Sequence, residues 1–265
     1  MKSYIKTITP DVARQMLERN RRNRPISASN LSRLTNEIRS GMWRLNGETI
    51  IIDSGGGIHD GQHRLLAVVA SGMTIQSWVI EGADPDSFST VDSGKSRSGA
   101  DVLAVDGHTQ CNRLVAALAF VEQYKRGKLC NGNDFSNREI VELAGKHENM
   151  QASAQFAGSF TKQKLMPQRV IAGLHFLFSE VDEVGAVEFF EMVHTDIGHK
   201  EVSPIVLLRK VLISNSQSRA KLTAYHIAAL TIKAWNATRA GSRIKVLRFS
   251  PGGELNESFP KIVGF

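Results

Sequence analysis

The sequence predicts an α+β protein: strands mixed with helices over about residues 1–107, then an all-helical region over about 108–265 that ends in a loop-rich tail. Three observations carry this. The β-branched runs, Ile50-Ile51-Ile52 and Ile75 with Trp78-Val79-Ile80, both lie in the first part. Beyond Asp106-Gly107-His108 the apolar residues recur at helical spacing with no clear strand. Cap signals, from Thr9-Pro10 to Ser136-Asn137-Arg138-Glu139, mark helix starts in both parts.

Taken in order, Thr9-Pro10 reads as an N-cap followed by proline at the first helical position, opening a helix to about Asn20. Pro25 closes a basic loop. Ser27 or Ser29 then caps a second helix, with Leu31, Leu34 and Ile38 on one face and Gly41 just past its end. Residues 48–53 read as a buried strand bracketed by Glu48 and Asp53. Gly55, Gly56 and Gly57 make a turn, residues 61–71 a helix ended by Gly72, and residues 74–81 a further strand. A polar cluster, Val91-Asp92-Ser93-Gly94-Lys95-Ser96-Arg97-Ser98, precedes a helix capped by Ser98 with Val102, Leu103 and Val105 on its apolar face. Helical patterns follow at 109–126, from Ser136, and at 150–160, 167–180, 184–194, 204–214 and 223–239. The tail, 242–265, is loop-rich with extended segments expected.

Composition narrows the class. No apolar run approaches the roughly 20 residues needed to span a membrane, so no membrane partner and a cytoplasmic location are expected. Cys111 and Cys130 have neither a metal-ligand nor a CxxC spacing, which argues against a disulfide framework and a cysteine zinc site. The histidines at 147, 175, 194, 199 and 226 form no ligand pattern and read as surface or satisfied core residues. Residues 1–44 hold ten Lys and Arg against three acids, leaving 23 of each sign in the remainder, so the whole positive excess is N-terminal. Arg19, Arg21, Arg22 and Arg24 put four guanidiniums into six residues, a patch for DNA or for a polyphosphate.

The chemistry concentrates at Asp60-Gly61-Gln62-His63-Arg64, a polar turn that opens directly into a helix. The first turn of a helix presents unsatisfied N–H groups and the positive end of the dipole, and a glycine lets an anion approach them. Gln62, His63 and Arg64 add side-chain donors, and Asp60 fits as a ligand for a divalent metal or as a base. Lys95 and Arg97, with Asp92, repeat that chemistry in the second cluster and could face the same phosphate. Ser93-Gly94-Lys95-Ser96 matches the end of a P-loop but lacks its upstream glycine, which rejects a Walker A site. No serine sits in a GxSxG elbow.

From Gly41 to Gly72, with "NGETIIID" and "GIHDGQHRLLAVVASG", the chain resembles the ParB/sulfiredoxin superfamily, and within it the phage and prophage proteins that carry a DGQHR turn. The resemblance covers about residues 10–107 and centres on Asp60 to Ala67. It implies a small mixed sheet with helices over 1–107, a phosphate-binding turn that opens a helix, and a nucleotide ligand, ATP, ADP or CTP, with Mg²⁺. ParB proteins carry Gly-Glu-Arg-Arg at this turn, sulfiredoxins Gly-Gly-Cys-His-Arg, and a free-serine kinase Asp-Gly-His-His-Arg, which is nearest to residues 60–64. Gln62 replaces the sulfiredoxin cysteine, which argues against sulfinic-acid reduction, and Gln62-His63 replaces the ParB Glu-Arg.

The resemblance therefore implies a kinase-like phosphotransferase of a phage or prophage in a bacterial host, with a nucleic-acid component as one acceptor. Gly61, Gln62, His63, Arg64, Lys95 and Arg97 would hold phosphate, and Asp60 and Asp92 the metal. Asp60, His63 and, in reserve, Glu48 would carry the chemistry, while Arg19, Arg21, Arg22 and Arg24 would meet nucleic acid. The alternatives are a nucleotide-responsive DNA-binding regulator without turnover and, third, a metal-dependent nuclease. A homodimer is compatible with the sequence.

Overall fold

The apolar runs of the first part pair into one four-stranded sheet. The computed structural model describes residues 1–20, 23, 25–90, 98–129, 135–195, 203–252 and 256–265. The strands are β1 (Lys2–Ile8), β2 (Thr49–Asp53), β3 (Ile58–Asp60) and β4 (Ile75–Ala83), in the order β1-β4-β2-β3. β4 runs antiparallel to β1 and parallel to β2, and β3 returns antiparallel along β2, so the sheet is mixed. Helices α1 (Pro10–Leu17), α2 (Ala28–Arg39) and α3 (Gln62–Ser71) complete this part. The register sets Ile8 opposite Ile75 and Ile50 opposite Val79. These residues join Ala13, Leu34, Ile38, Leu65 and Val68 in one core cluster, the apolar burial that holds helices to sheet.

Local chemistry sets the element ends. Thr9 Oγ1 accepts from the Val12 N–H, and α1 stops at Leu17, short of Asn20. Ser27, and not Ser29, caps α2 by accepting from the Asn30 N–H. Two strands were hidden in the sequence. β1 is an edge strand whose Lys2 and Lys6 break up the apolar signal, and only its Ile8 is fully buried. β3 has three residues, two of them the polar His59 and Asp60. Within β2 only Ile50 is fully buried, while Ile51 and Ile52 are half-buried.

The chain forms two compact units, Met1–Arg97 with Asp134–Glu139, and Ser98–Asn133 with Ile140–Phe265. The division precedes the expected boundary at 107 because α4 (Gly99–Val105) packs on α5 (Cys111–Lys125) through the buried Leu103. Val105, expected on the apolar face of α4, is 84% exposed. The remaining helices are α6 (Asn137–Lys146), α7 (Met150–Ser159), α8 (Gln168–Ser179), α9 (Glu183–His194), α10 (Pro204–Gln217) and α11 (Ala224–Arg239). The capping box before α6 forms as the sequence predicts: Glu139 Oε2 accepts from the Ser136 N–H at 2.7 Å, and Ser136 Oγ from the Glu139 N–H at 3.2 Å.

α8 lies at the centre of the second unit, with Val170 to Phe178 all buried. Gly173 is the reason α5 can approach it, since a Cβ there would lie 2.3 Å from Cδ1 of Phe120. Phe178 stacks on Trp235 of α11 at 4.3 Å. Among the described residues the tail forms no strand, yet it is packed: Leu247, Phe249 and Ile262 are buried, and Tyr124 Oη accepts from the Ile262 N–H.

Candidate functional site

β3 delivers Asp60 to the start of α3, and Gly61 makes the corner at φ +96°. A Cβ at position 61 would lie 2.8 Å from Ile50 Cγ1 and 3.2 Å from Ile50 Cα. Backbone conformation and close approach to β2 thus demand glycine before any ligand is considered. α3 opens without a side-chain cap.

Four of the expected site residues, Glu48, Asp60, Gly61 and Arg64, meet at this corner. Asp60 Oδ1 accepts from the Gly61 N–H at 2.6 Å, and its Oδ2 lies 3.1 Å from Arg64 Nη2. The same Nη2 reaches Glu48 Oε2 at 2.9 Å, and Nη1 donates to the Thr49 carbonyl. The side chains of Arg64 and Asp60 are only 11% and 16% exposed, whereas Glu48 is 65% exposed. The Arg64 guanidinium therefore pins β2 to α3 through three protein acceptors, and it is not the open phosphate fork that the sequence suggests. Both Asp60 oxygens take protein donors, which makes Asp60 a positioning residue for Arg64, while Glu48 keeps an accessible carboxylate.

Gln62 and His63 turn away from that corner, each 6% exposed. Gln62 Oε1 accepts from Asn20 Nδ2 at 2.7 Å, and His63 Nε2 accepts from the Ser27 N–H at 3.0 Å. Such an acceptor requires the neutral imidazole with its proton on Nδ1. Asn23 Nδ2 donates both to Asn20 Oδ1 at 2.7 Å and to the Ile58 carbonyl at 2.9 Å. Arg19 is exposed and lies over the glycine turn, where a Cβ on Gly56 would sit 3.4 Å from its Nη1. Among the described residues its guanidinium has no hydrogen-bond or ion-pair partner. Arg21, Arg22, Arg24, Asp92, Lys95 and Arg97 lie outside the described residues.

A second polar pair escaped the sequence reading. Ile51 faces Asp60 and Ile52 faces Ile58, so His59 is the extra residue of a β-bulge, a device that re-aims a side chain. Its Nε2 lies 3.2 Å from Asp53 Oδ2, while Asp53 Oδ1 accepts from the N–H groups of Gly55 and Gly57, each at 2.8 Å. The Gly57 N–H foremost, helped by Gly55 and His59 against the effect of burial, holds the Asp53 carboxyl below the usual range. Asp followed by glycines two and four residues on is the sequence signal for this turn.

Among the described residues no three His, Cys, Asp or Glu side chains gather to hold a metal ion. No helix among the described residues is long and apolar enough to cross a membrane. No family model, no curated protein and no solved structure matches the chain.

Proposed function

We propose that the chain binds a nucleoside polyphosphate, ATP, ADP or CTP, at the start of α3 and transfers a phosphoryl group from it, as the resemblance to the ParB/sulfiredoxin superfamily implies. One convergence carries this: the exposed Glu48 carboxylate stands on the same guanidinium that ties Asp60 to the uncapped first turn of α3. An uncapped helix start favours an anion, and a carboxylate fixed beside it can take the proton of an acceptor hydroxyl. Asp60 holds Arg64 in place, and Arg19 supplies an exposed cation that has no ion-pair partner among the described residues. Mg²⁺ would arrive on the nucleotide phosphates, the usual habit of that ion. A nucleic-acid component is the acceptor class that suits the N-terminal charge excess.

A second reading has its own observation. Both oxygens of Asp60 are engaged, which suits a nucleotide-responsive DNA-binding regulator that does not turn its ligand over. Terminally labelled ATP, ADP or CTP with Mg²⁺, with and without DNA, separates the two. Label transferred or released by wild type and lost in Glu48→Gln, while the nucleotide still stabilises that variant, supports the phosphotransferase. Binding without turnover, joined by salt-sensitive duplex binding, supports the regulator. Magnesium-dependent plasmid nicking would instead indicate a nuclease.

A further inference from the structure

Beyond residue 44 the charges balance in number but not in place. Residues 203–265 hold ten Lys and Arg against two acids, Glu254 and Glu257, so the stretch before them carries the opposite excess. Glu257 is the one acid among the described residues of this stretch, and Lys233 Nζ donates to its Oε1 at 2.6 Å.

The tail lays this charge along α11. Phe249 lies 5.7 Å from the rings of both Tyr225 and His226, near the start of the helix, and the Arg248 carbonyl accepts from Lys233 Nζ. Residues 241–249 therefore run back from the end of α11 towards its start. Leu247 and Phe249 are buried, whereas Arg243, Lys245 and Arg248 are exposed. The apolar side chains fix the segment, and cations are what it shows to solvent.

The loop before α11 is fixed as well. Lys221 Nζ donates to the carbonyls of Asn215 and Ser216 at the end of α10, and Asn215 Oδ1 accepts from the Leu222 N–H at 2.7 Å. Arg219 stands exposed on this loop. Its neighbours Ser218 and Ala220 line an open groove of about 440 Å³ together with Lys210, Ser214 and Asn215. Arg219, Arg243 and Lys245 have no hydrogen-bond or ion-pair partner among the described residues.

We propose that this basic border of α11 is a nucleic-acid-binding surface that takes a duplex by its phosphates, with Arg219, Arg243, Lys245 and Arg248 as the contacts. α11 has 16 residues, which is about 24 Å, so its border spreads the cations over much of one duplex turn. Neutral groups such as those of Ser214, Asn215 and Ser218 are common partners of phosphate oxygens. A single strand would call for aromatic platforms, and among the described residues of 203–252 no aromatic side chain is exposed. A membrane surface would call for an apolar face, but Leu247, Phe249 and Ile262 are turned inward. The surface belongs to the helical unit alone and stands whether or not a nucleotide binds at α3.

Fluorescence anisotropy of the full chain with labelled DNA and RNA duplexes, across roughly 50 to 200 mM salt, tests this. Wild type should bind at least one duplex, with affinity falling steeply as salt rises. Arg243→Gln combined with Lys245→Gln should weaken binding about tenfold and make the log–log salt slope shallower by about two. Arg219→Gln, on a separate segment, should make it shallower by about one, and it carries the test should the double variant fail to fold. Lys162→Gln combined with Lys164→Gln removes the same charge from exposed positions outside this stretch and should change neither quantity. Equal weakening by that control pair would reduce the effect to net charge and overturns the proposal. So does duplex binding that neither Arg219→Gln nor the tail substitutions alter, which would place the contacts elsewhere. Absence of duplex binding in wild type at the lowest salt, tighter binding of a single strand, or binding to anionic phospholipid vesicles in its place likewise overturns it.

Discussion

Arg64 and Asp60 form an ion pair across one turn at the start of α3, Nη2 to Oδ2 at 3.1 Å, with both side chains largely enclosed. The same guanidinium serves Glu48 and the Thr49 carbonyl, so one residue joins helix to strand. Arg64→Ala leaves an enclosed carboxylate without its cation and should cost about 3 kcal/mol in denaturant unfolding. Arg64→Lys should recover only part of that, because a point charge cannot span three acceptors. Equal stability of the Ala variant and wild type would show that the pair does not tie α3 to β2.

Gly61→Ala tests the corner independently. It combines φ +96° with a Cβ only 2.8 Å from Ile50 Cγ1, and should destabilise by about 3 kcal/mol. Because the Ile50 side chain is half of the clash, Ile50→Ala with Gly61→Ala should cost less than the two single changes together, measurable by a double-mutant cycle. Simple additivity would show that the backbone conformation alone requires the glycine.

Acid should weaken the helical unit through its buried imidazoles. His175 stacks on Phe156 at 4.0 Å with Nδ1 2.9 Å from Ser153 Oγ, and burial pushes its pKa down to about 4. His194 stacks on Phe160 at 4.1 Å, and burial lowers its pKa also. The unfolded chain binds a proton at His175 near pH 6.5, while the folded chain does not until about 4. Stability should therefore be level above pH 7 and fall between pH 6.5 and 4, by on the order of 3 kcal/mol for this group. His175→Phe should flatten that decline in thermal melts, and an unchanged slope would place the acid sensitivity elsewhere.

The sequence makes legible what local chemistry dictates. Thr9-Pro10, the box from Ser136 to Glu139, Gly72 and the run at Ile50 all mark elements that form. β1 escapes because an edge strand tolerates Lys2 and Lys6, and β3 because its three residues carry no period. The site divides in the same way. Residues 60–64 do lie at a strand-to-helix corner, but their partners are set by side chains distant in sequence: Glu48 for Arg64, Asn20 for Gln62, Ser27 for His63. The Asp53–His59 pair depends on a bulge, which leaves no periodic trace. The core histidines at 147, 175 and 194 each leave Nε2 buried without a hydrogen-bond partner among the described residues, more than the spacing of the residues could indicate.

The most direct test of nucleotide binding is a thermal-shift screen of the full chain against ATP, ADP, CTP and pyrophosphate, with and without Mg²⁺. A ligand at a hundred times its Kd stabilises by about 2.7 kcal/mol, which is several degrees of Tm for a protein of this size. The site described predicts such a rise for at least one nucleotide in wild type, and a smaller rise for the same nucleotide in Arg19→Gln. No rise with any of these ligands in wild type would contradict it.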